Sequence, residues 1–429
     1  MRSRRNIGTI RFSRLFAVIL LLSIFVLQHM LPAIEIDEKI LEKAREGDTA
    51  SQIELGNAYF HGGKGLLRNP DLAAFWFKKA AEKGSPAAIF NLGICYESGT
   101  GVEKNELEAF KCYRKAAEGG IPEAKYNVAI ILRKGIPDPK NGTLDIPKDS
   151  EAAVMILKEL SNSGFVPAFA KLAEFYISGE DVSKNLEEAH FLLQKSIEGG
   201  DPEGMLLLAD CIYSGTGIPR DETKAFRLLE KASEKGNAEA SAKLAYLYET
   251  GTGTEKNSAK AFELLKKAAI KGLPMAQVKV GEYYLKGELT EKDLAMARQW
   301  FTIAAENNNP LAIFNLAILA TEGIGENKDD KKAASLFLKA ASLGEVHAQY
   351  NMASCYENGR GVPVDMEAAF YWFKRAAEQG DVKAQRSLAI CYIKGKGTPE
   401  NFQEGLKWLI KAADRGDPEA LEIVSDLNL

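Results

Sequence analysis

Five cysteines and four histidines are the residues of this 429-residue chain whose chemistry is easiest to recognise. Structural zinc sites take thiolates and imidazoles in close sequence pairs. This chain has no Cys-x-x-Cys, and His29, His61, His190 and His347 fall in no recognised ligand motif. Nucleophilic hydrolases carry a serine in Gly-x-Ser-x-Gly or Ser-x-x-Lys, and neither pattern occurs. Gly-Thr-Gly at 99–101, 215–217 and 251–253 has the look of a phosphate loop, but it lacks a third glycine and a Gly-Lys-Ser/Thr ending. Acidic residues are plentiful without any privileged pair for general acid–base work. The sequence therefore predicts no catalytic residue, no metal and no cofactor.

The elements that would position a site are written ten times over. A small residue follows an apolar one at Gly56, Gly93, Ala129, Ala173, Ala209, Ala245, Gly281, Ala317, Ala353 and Ala389. The spacing is 36 residues, apart from 37 at the first step and 44 at the third. Alanines from Ala80 to Ala412 keep the same beat in a Lys-Ala-Ala-like motif, and Trp76, Trp300, Trp372 and Trp408 share one column. A fixed period of this length means a tandem array. In the ninth unit, Ala348, Met352, Ala353 and Tyr356 have helical spacing. A glycine-rich turn follows, and then Ala369, Trp372, Phe373, Ala376 and Ala377 share a second helical face. Gly380 stops that helix. Gly or Ala at the crossing lets two helix axes approach to about 8 Å. No window alternates with period two, so the fold class is all-α, with no sheet, and the tryptophan column is read as core.

The repeating residues resemble the Sel-one-like repeat family, relatives of the tetratricopeptide repeats. The second unit has Leu92-Gly93, Tyr96, Gly99-Thr100-Gly101-Val102, Ala109, Tyr113, Lys115-Ala116-Ala117 and Gly120. The resemblance runs from about Thr49 to Gly416. Departures are Leu132, Ile212 and Ala320 at the Tyr position, Lys158-Glu159-Leu160 for Lys-Ala-Ala, and Asn308 for a closing Gly; each is expected to loosen local packing. The resemblance implies a right-handed α-solenoid of about ten helical hairpins that binds other proteins or peptides as a scaffold or adaptor, without catalysis. It also implies a bacterial envelope, periplasmic or secreted location, or the endoplasmic reticulum.

Organisation at the ends agrees with export and capping. Arg2, Arg4, Arg5, Arg11 and Arg14 precede an apolar run from Leu15 to Leu27, so residues 1–33 read as an export signal or an uncleaved membrane anchor. Residues 34–48 read as a leading helix or linker and 417–429 as a capping helix. Residues 136–147 hold an insertion rich in Pro and Gly, expected as a protruding loop. It contains the glycosylation pattern Asn141-Gly142-Thr143. With 55 basic and 59 acidic residues the net charge is −4, and the acidic body argues against nucleic-acid binding.

Candidate binding residues come from variation between the repeats. The position just after the small residue turns away from the Leu, Gly and Tyr columns and is the least uniform of the columns compared with it; it includes Glu174, Asp210, Tyr246 and Glu282. The position three before the small residue includes Tyr126 and Tyr350. These six are the predicted protein-binding residues, with cell-wall glycan as the alternative ligand and a hydrolase with an unrecognised site as a remoter one. The recurrent Asn91, Asn127, Asn315 and Asn351 point to a shared structural hydrogen bond. Cysteines in neighbouring repeats fall about 10 Å apart, too far for a bridge. That leaves Cys95 and Cys112 as the one pair placed for a disulfide; unbridged, they are small buried hydrophobes.

Overall fold

The computed structural model describes residues 38–62, 66–137, 144–180 and 182–426. Residues 1–33, expected as an export signal or anchor, and the tip of the insertion, including Asn141-Gly142-Thr143, lie outside them. The chain forms two compact units, Met1–Gly199 and Gly200–Leu429. Twenty-two helices run from Glu38–Glu46 to Pro418–Asp426 among the described residues, and twenty of them are 13 residues long. These twenty pair into ten hairpins of the solenoid class. Thr49–His61 with Pro70–Glu82 opens the series, and Val382–Lys394 with Phe402–Asp414 closes it. Four hairpins belong to the first unit and six to the second. No helix among the described residues is long and apolar enough to cross a membrane.

Each hairpin closes on a small residue, glycine in three and alanine in seven. A Cβ on Gly281 would lie 2.6 Å from a ring carbon of Phe301, and one on Gly93 would lie 2.8 Å from the ring of Tyr113. Phe301 and Tyr113 are fully buried. The residue that packs across the crossing lies twenty positions on from the small one, except in the first hairpin and in the third, which holds the insertion. Each glycine meets an aromatic ring (Phe77, Tyr113, Phe301), while alanine meets leucine at Leu157, Leu193, Leu229, Leu265 and Leu409 and phenylalanine at Phe337 and Phe373. In a close-packed interior a ring this near the glycine leaves no room for a Cβ.

A second device fixes the hairpin turn. The N-cap of every second helix, from Asn69 to Asn401, is Asn or Asp, and its side chain accepts a hydrogen bond from the helix's first turn. Its own N–H donates to the backbone carbonyl at the Tyr position of the first helix, at 2.7–3.2 Å in all ten hairpins. Because the bond uses the carbonyl and not the ring, Leu132, Ile212 and Ala320 keep it. Ring packing at that position is compensated too. Phe262 meets Tyr284 edge-on at 5.8 Å and Phe370 meets Tyr392 at 5.2 Å. The equivalent residues in the seventh and eighth hairpins are Arg298 and Ala320. There the guanidinium donates to the Ile324 carbonyl at 2.6 Å and pairs with Glu326 at 2.5 Å. Arg298 and Lys332 together hold the Glu326 carboxyl down to about 2. Asn308 takes the left-handed conformation of the glycine it replaces, with φ 55°.

The Gly-x-Gly turn joins one hairpin to the one before. A Cβ on Gly361, whose φ is +73°, would run into the carbonyl of Asp330, the first residue of the previous second helix. Gly101, Gly253 and Gly397 meet Pro70, Glu222 and Met366 in the same way. Buried Gln277, Gln349 and Gln385 add bonds between hairpins, donating to the carbonyls of Ala269, Ala341 and Ala377.

Two expectations are corrected. Ile136–Pro137 and Leu144–Ile146 form an antiparallel two-stranded ribbon, so the described residues do contain a sheet. Ile136 is buried among Phe110, Tyr113 and Val128, which anchors the base of the insertion. The tryptophans are half-buried, not core. Trp372 packs against the apolar clusters of two successive hairpins, as does Trp408.

Gly281→Ala is expected to destabilise the protein by about 1–3 kcal/mol through overpacking against Phe301. Adding Phe301→Leu, which recreates the Ala–Leu pair of other hairpins, is expected to recover most of that loss in urea or thermal melts. A neutral single variant would mean that the crossing is not tight.

Candidate protein-interaction site

Three consecutive first helices of the second unit, Pro202–Ser214, Ala238–Thr250 and Pro274–Lys286, present one face. On each, the apolar residue before the small one, the small residue itself and the residue two beyond it are buried. The residue just after the small one is turned outward by helical geometry. It is Asp210, Tyr246 and Glu282 in turn. Tyr246 is 56% exposed and Met275 61% exposed, both large side chains left in water. They help wall a cleft of about 630 Å³ that is also lined by Tyr213, Leu229, Leu247 and Leu273. Lys243 crosses its rim, held by Asp210 at 2.6 Å and Glu239 at 3.6 Å. Each of these pairs is worth about 0–1 kcal/mol at such exposure. Their effect is on charge: two carboxylates share one ammonium. On the other side, the Arg220 guanidinium lies 5.4 Å from the Tyr213 ring centroid.

Of the six predicted residues, the structure brings Asp210 and Tyr246 together in this cleft. Glu282 is half-buried beside Lys279 at 3.8 Å and does not line it. Glu174 belongs to the first unit. Burial alone would push its carboxyl up, but hydrogen bonds from Lys171 and Arg133, each 2.7 Å away, hold it below the usual range. The Arg133 guanidinium also stacks 4.4 Å from the Phe175 ring centroid, so Glu174 joins hairpins instead of facing a ligand. Tyr350 packs 5.8 Å from Phe373, the buried ring of its own hairpin, and burial raises its hydroxyl pKa. Tyr126 sits 5.9 Å from Phe165. Phe90 and Phe314 pack likewise on Tyr113 and Phe337. At these four positions the column three before the small residue serves packing.

Sequence reasoning missed Tyr213, Met275 and Lys243. Tyr213 lies one turn beyond the Ala209 crossing, in a column that varies as widely as the one chosen. The four asparagines make no common bond. Asn91 donates to Asn57 at 3.2 Å, Asn351 donates to the His347 carbonyl at 2.7 Å, and the amide nitrogen of Asn315 is buried without a partner.

Cys95 and Cys112 both pack on one apolar cluster, each as a free thiol. Burial pushes Cys95 up to about 11 and raises Cys112 as well. A Cβ on Gly93 would lie 3.1 Å from the Cys112 Cβ, so Cys112 points at the helix crossing. Among the described residues no group of three or more His, Cys, Asp or Glu could hold a metal ion.

A profile of the Sel1 repeat matches residues 49–85, 86–121, 168–201, 202–237, 238–273, 274–309, 310–345, 346–381 and 382–417. The unmatched stretch 122–167 is the hairpin with the insertion. The chain is similar to a Sel1 repeat protein of Oxalobacter formigenes, at 29% identity over 74% of this chain and 89% of that one, with a TM-score of 0.54. It is also similar to a protective antigen of uropathogenic Escherichia coli with an SLR fold, at 25% identity over 92% and 91% of the two chains, with a TM-score of 0.43. No curated protein matches it. Proteins built from this repeat generally serve as protein-interaction scaffolds.

Tyr246→Ala is expected to leave stability within about 0.5 kcal/mol, as for an exposed side chain. Tyr350→Ala is expected to cost about 2 kcal/mol or more by opening a cavity over Phe373. Parallel melts distinguish the two roles. A thiol titration of the non-reduced, denatured protein is expected to count all 5 cysteines. Two missing thiols would establish a Cys95–Cys112 bridge.

Proposed function

The chain belongs to the Sel1 repeat family, and on that footing we propose that it is a non-catalytic scaffold that docks a partner protein on the first helices of its second unit. The observation that carries this reading is the cleft at Tyr213, Tyr246 and Met275. There, large apolar side chains stay in water beside a rim whose charges are already arranged. Interface hot spots favour aromatic anchors in such concavities. A uniform hairpin carrying variable outward residues is also the economical way to build specificity into a repeat. Two tyrosines beside Asp210 suit a sugar ring as well, so cell-wall glycan remains the second reading.

We also propose that the body acts outside the cytoplasm, in a bacterial envelope or as a secreted protein, with the endoplasmic reticulum as the alternative. Support comes from the five arginines and the apolar run that follows them. The positive flank would stay in the cytoplasm while the body is translocated.

A photo-crosslinking residue at position 246, in tagged full-length protein from native membranes, tests the docking reading. The expected result is a discrete polypeptide adduct that disappears when Asp210→Arg is added. Retention on peptidoglycan without any polypeptide adduct would overturn it in favour of glycan. The N-terminal peptide of the same bait tests export. Cleavage near Ile34, or membrane retention of an intact N-terminus, supports it, and an intact, unretained chain contradicts it.

A further inference from the structure

The second helices of the fifth and sixth hairpins hold a separate groove. It lies between Glu222–Glu234 and Ser258–Ile270, with a volume of about 660 Å³. Leu244, Tyr248 and Leu264 line it with apolar surface, and Glu230, Glu234 and Glu263 line it with charge. Its two lysines are engaged: Lys260 lies 5.2 Å over the Tyr248 ring, and Lys267 donates to the Ser233 carbonyl at 2.5 Å. Glu263 pairs with Lys266 at 3.5 Å. Glu230 and Glu234, one helical turn apart, have no cation within ion-pairing distance among the described residues.

Leu264 stands in the tryptophan column. Counting by 36 residues from it reaches Trp300, then Leu336, Trp372 and Trp408. Trp372 and Trp408 lie half-buried, each packed against its own hairpin and the one before. Leu264 faces the same junction with a much smaller side chain. The groove thus lies at the kind of junction where Trp372 and Trp408 place an indole, although Leu192, Leu228 and Leu336 share the smaller residue, and it is rimmed by two carboxylates with no ion-pair partner among the described residues.

We propose that this groove is a docking slot for an aromatic side chain, tryptophan above all, carried by a partner protein and flanked by Lys or Arg. The chain's own repeats supply the template for the aromatic fit, and Glu230 and Glu234 supply the charge complementarity. This surface uses neither Tyr246 nor Asp210 and is independent of the first-helix cleft.

The test titrates the full-length protein with the fluorescent peptide acetyl-Gly-Lys-Trp-Lys-Gly-amide. Binding is expected to weaken about tenfold when Trp is replaced by Ala, and to weaken when both lysines are replaced by Glu. Leu264→Trp, which puts the column's own residue in the slot, is expected to abolish binding while leaving the melting temperature unchanged or raised. Glu230→Lys with Glu234→Lys on the exposed rim is expected to weaken binding without any packing change, and Tyr246→Ala to leave it intact. Binding that survives Leu264→Trp, equal binding of the Ala peptide, or no binding at about millimolar peptide would overturn the proposal. Loss of binding in Tyr246→Ala would move the peptide to the first-helix cleft and also overturn it. Self-association in sedimentation velocity that Leu264→Trp abolishes would assign the slot to a second copy of this chain, against a foreign partner.

Discussion

Phe301 can lie where it does because Gly281 has no side chain, and Gly56 and Gly93 make the same room for Phe77 and Tyr113. In every hairpin the crossing of the two helices is set by one small residue, Gly or Ala, facing one large one. Once that crossing is fixed, the first helix has a buried side and an outward side, and the outward side is free to vary. The N-cap bond from each Asn or Asp to the first helix then fixes where the second helix begins. Where the turn carries a second glycine at Gly101, Gly253, Gly361 or Gly397, that glycine seats its hairpin on the predecessor by giving its Cβ space to a carbonyl. These three contacts are short and local. An array of such units gains stability from neighbours, not from distant parts of the chain.

This hierarchy explains what could be read from the sequence. Periodicity exposes the small-residue column, the helical spacing and the hairpin, because all three are written in apolar and small side chains at a fixed interval. The Asn/Asp cap column keeps the same interval and was legible by the same arithmetic. It lies outside the apolar pattern, however, and its role depends on a backbone carbonyl that no side chain marks. For the same reason Ala320 and Ile212 look like defects in sequence and are not defects in structure. The ribbon at Ile136–Pro137 was not legible, since strands of two and three residues carry no period.

Variation between repeats is a weaker guide than periodicity. Tyr350 covers the buried Phe373 ring of its own hairpin and Tyr126 packs on Phe165 of the next, so variation at these positions is a packing freedom. Asp210 and Tyr246 vary because they face outward. Sequence alone could not separate these two kinds of freedom; the geometry of the second-helix ring does. Departures from a column carry the most information when nothing compensates them. Arg298 compensates Ala320, whereas Leu264, one repeat before Trp300, lines an open groove.

Hydrogen–deuterium exchange of the full chain, free and saturated with a partner captured through position 246, tests the central claim most directly. Protection is expected to concentrate in Pro202–Ser214 and Ala238–Thr250, around Tyr213 and Tyr246, with the Gly and Ala crossings equally slow in both states. Saturation with partner that leaves those two helices unprotected, or that protects only the first unit, would contradict it.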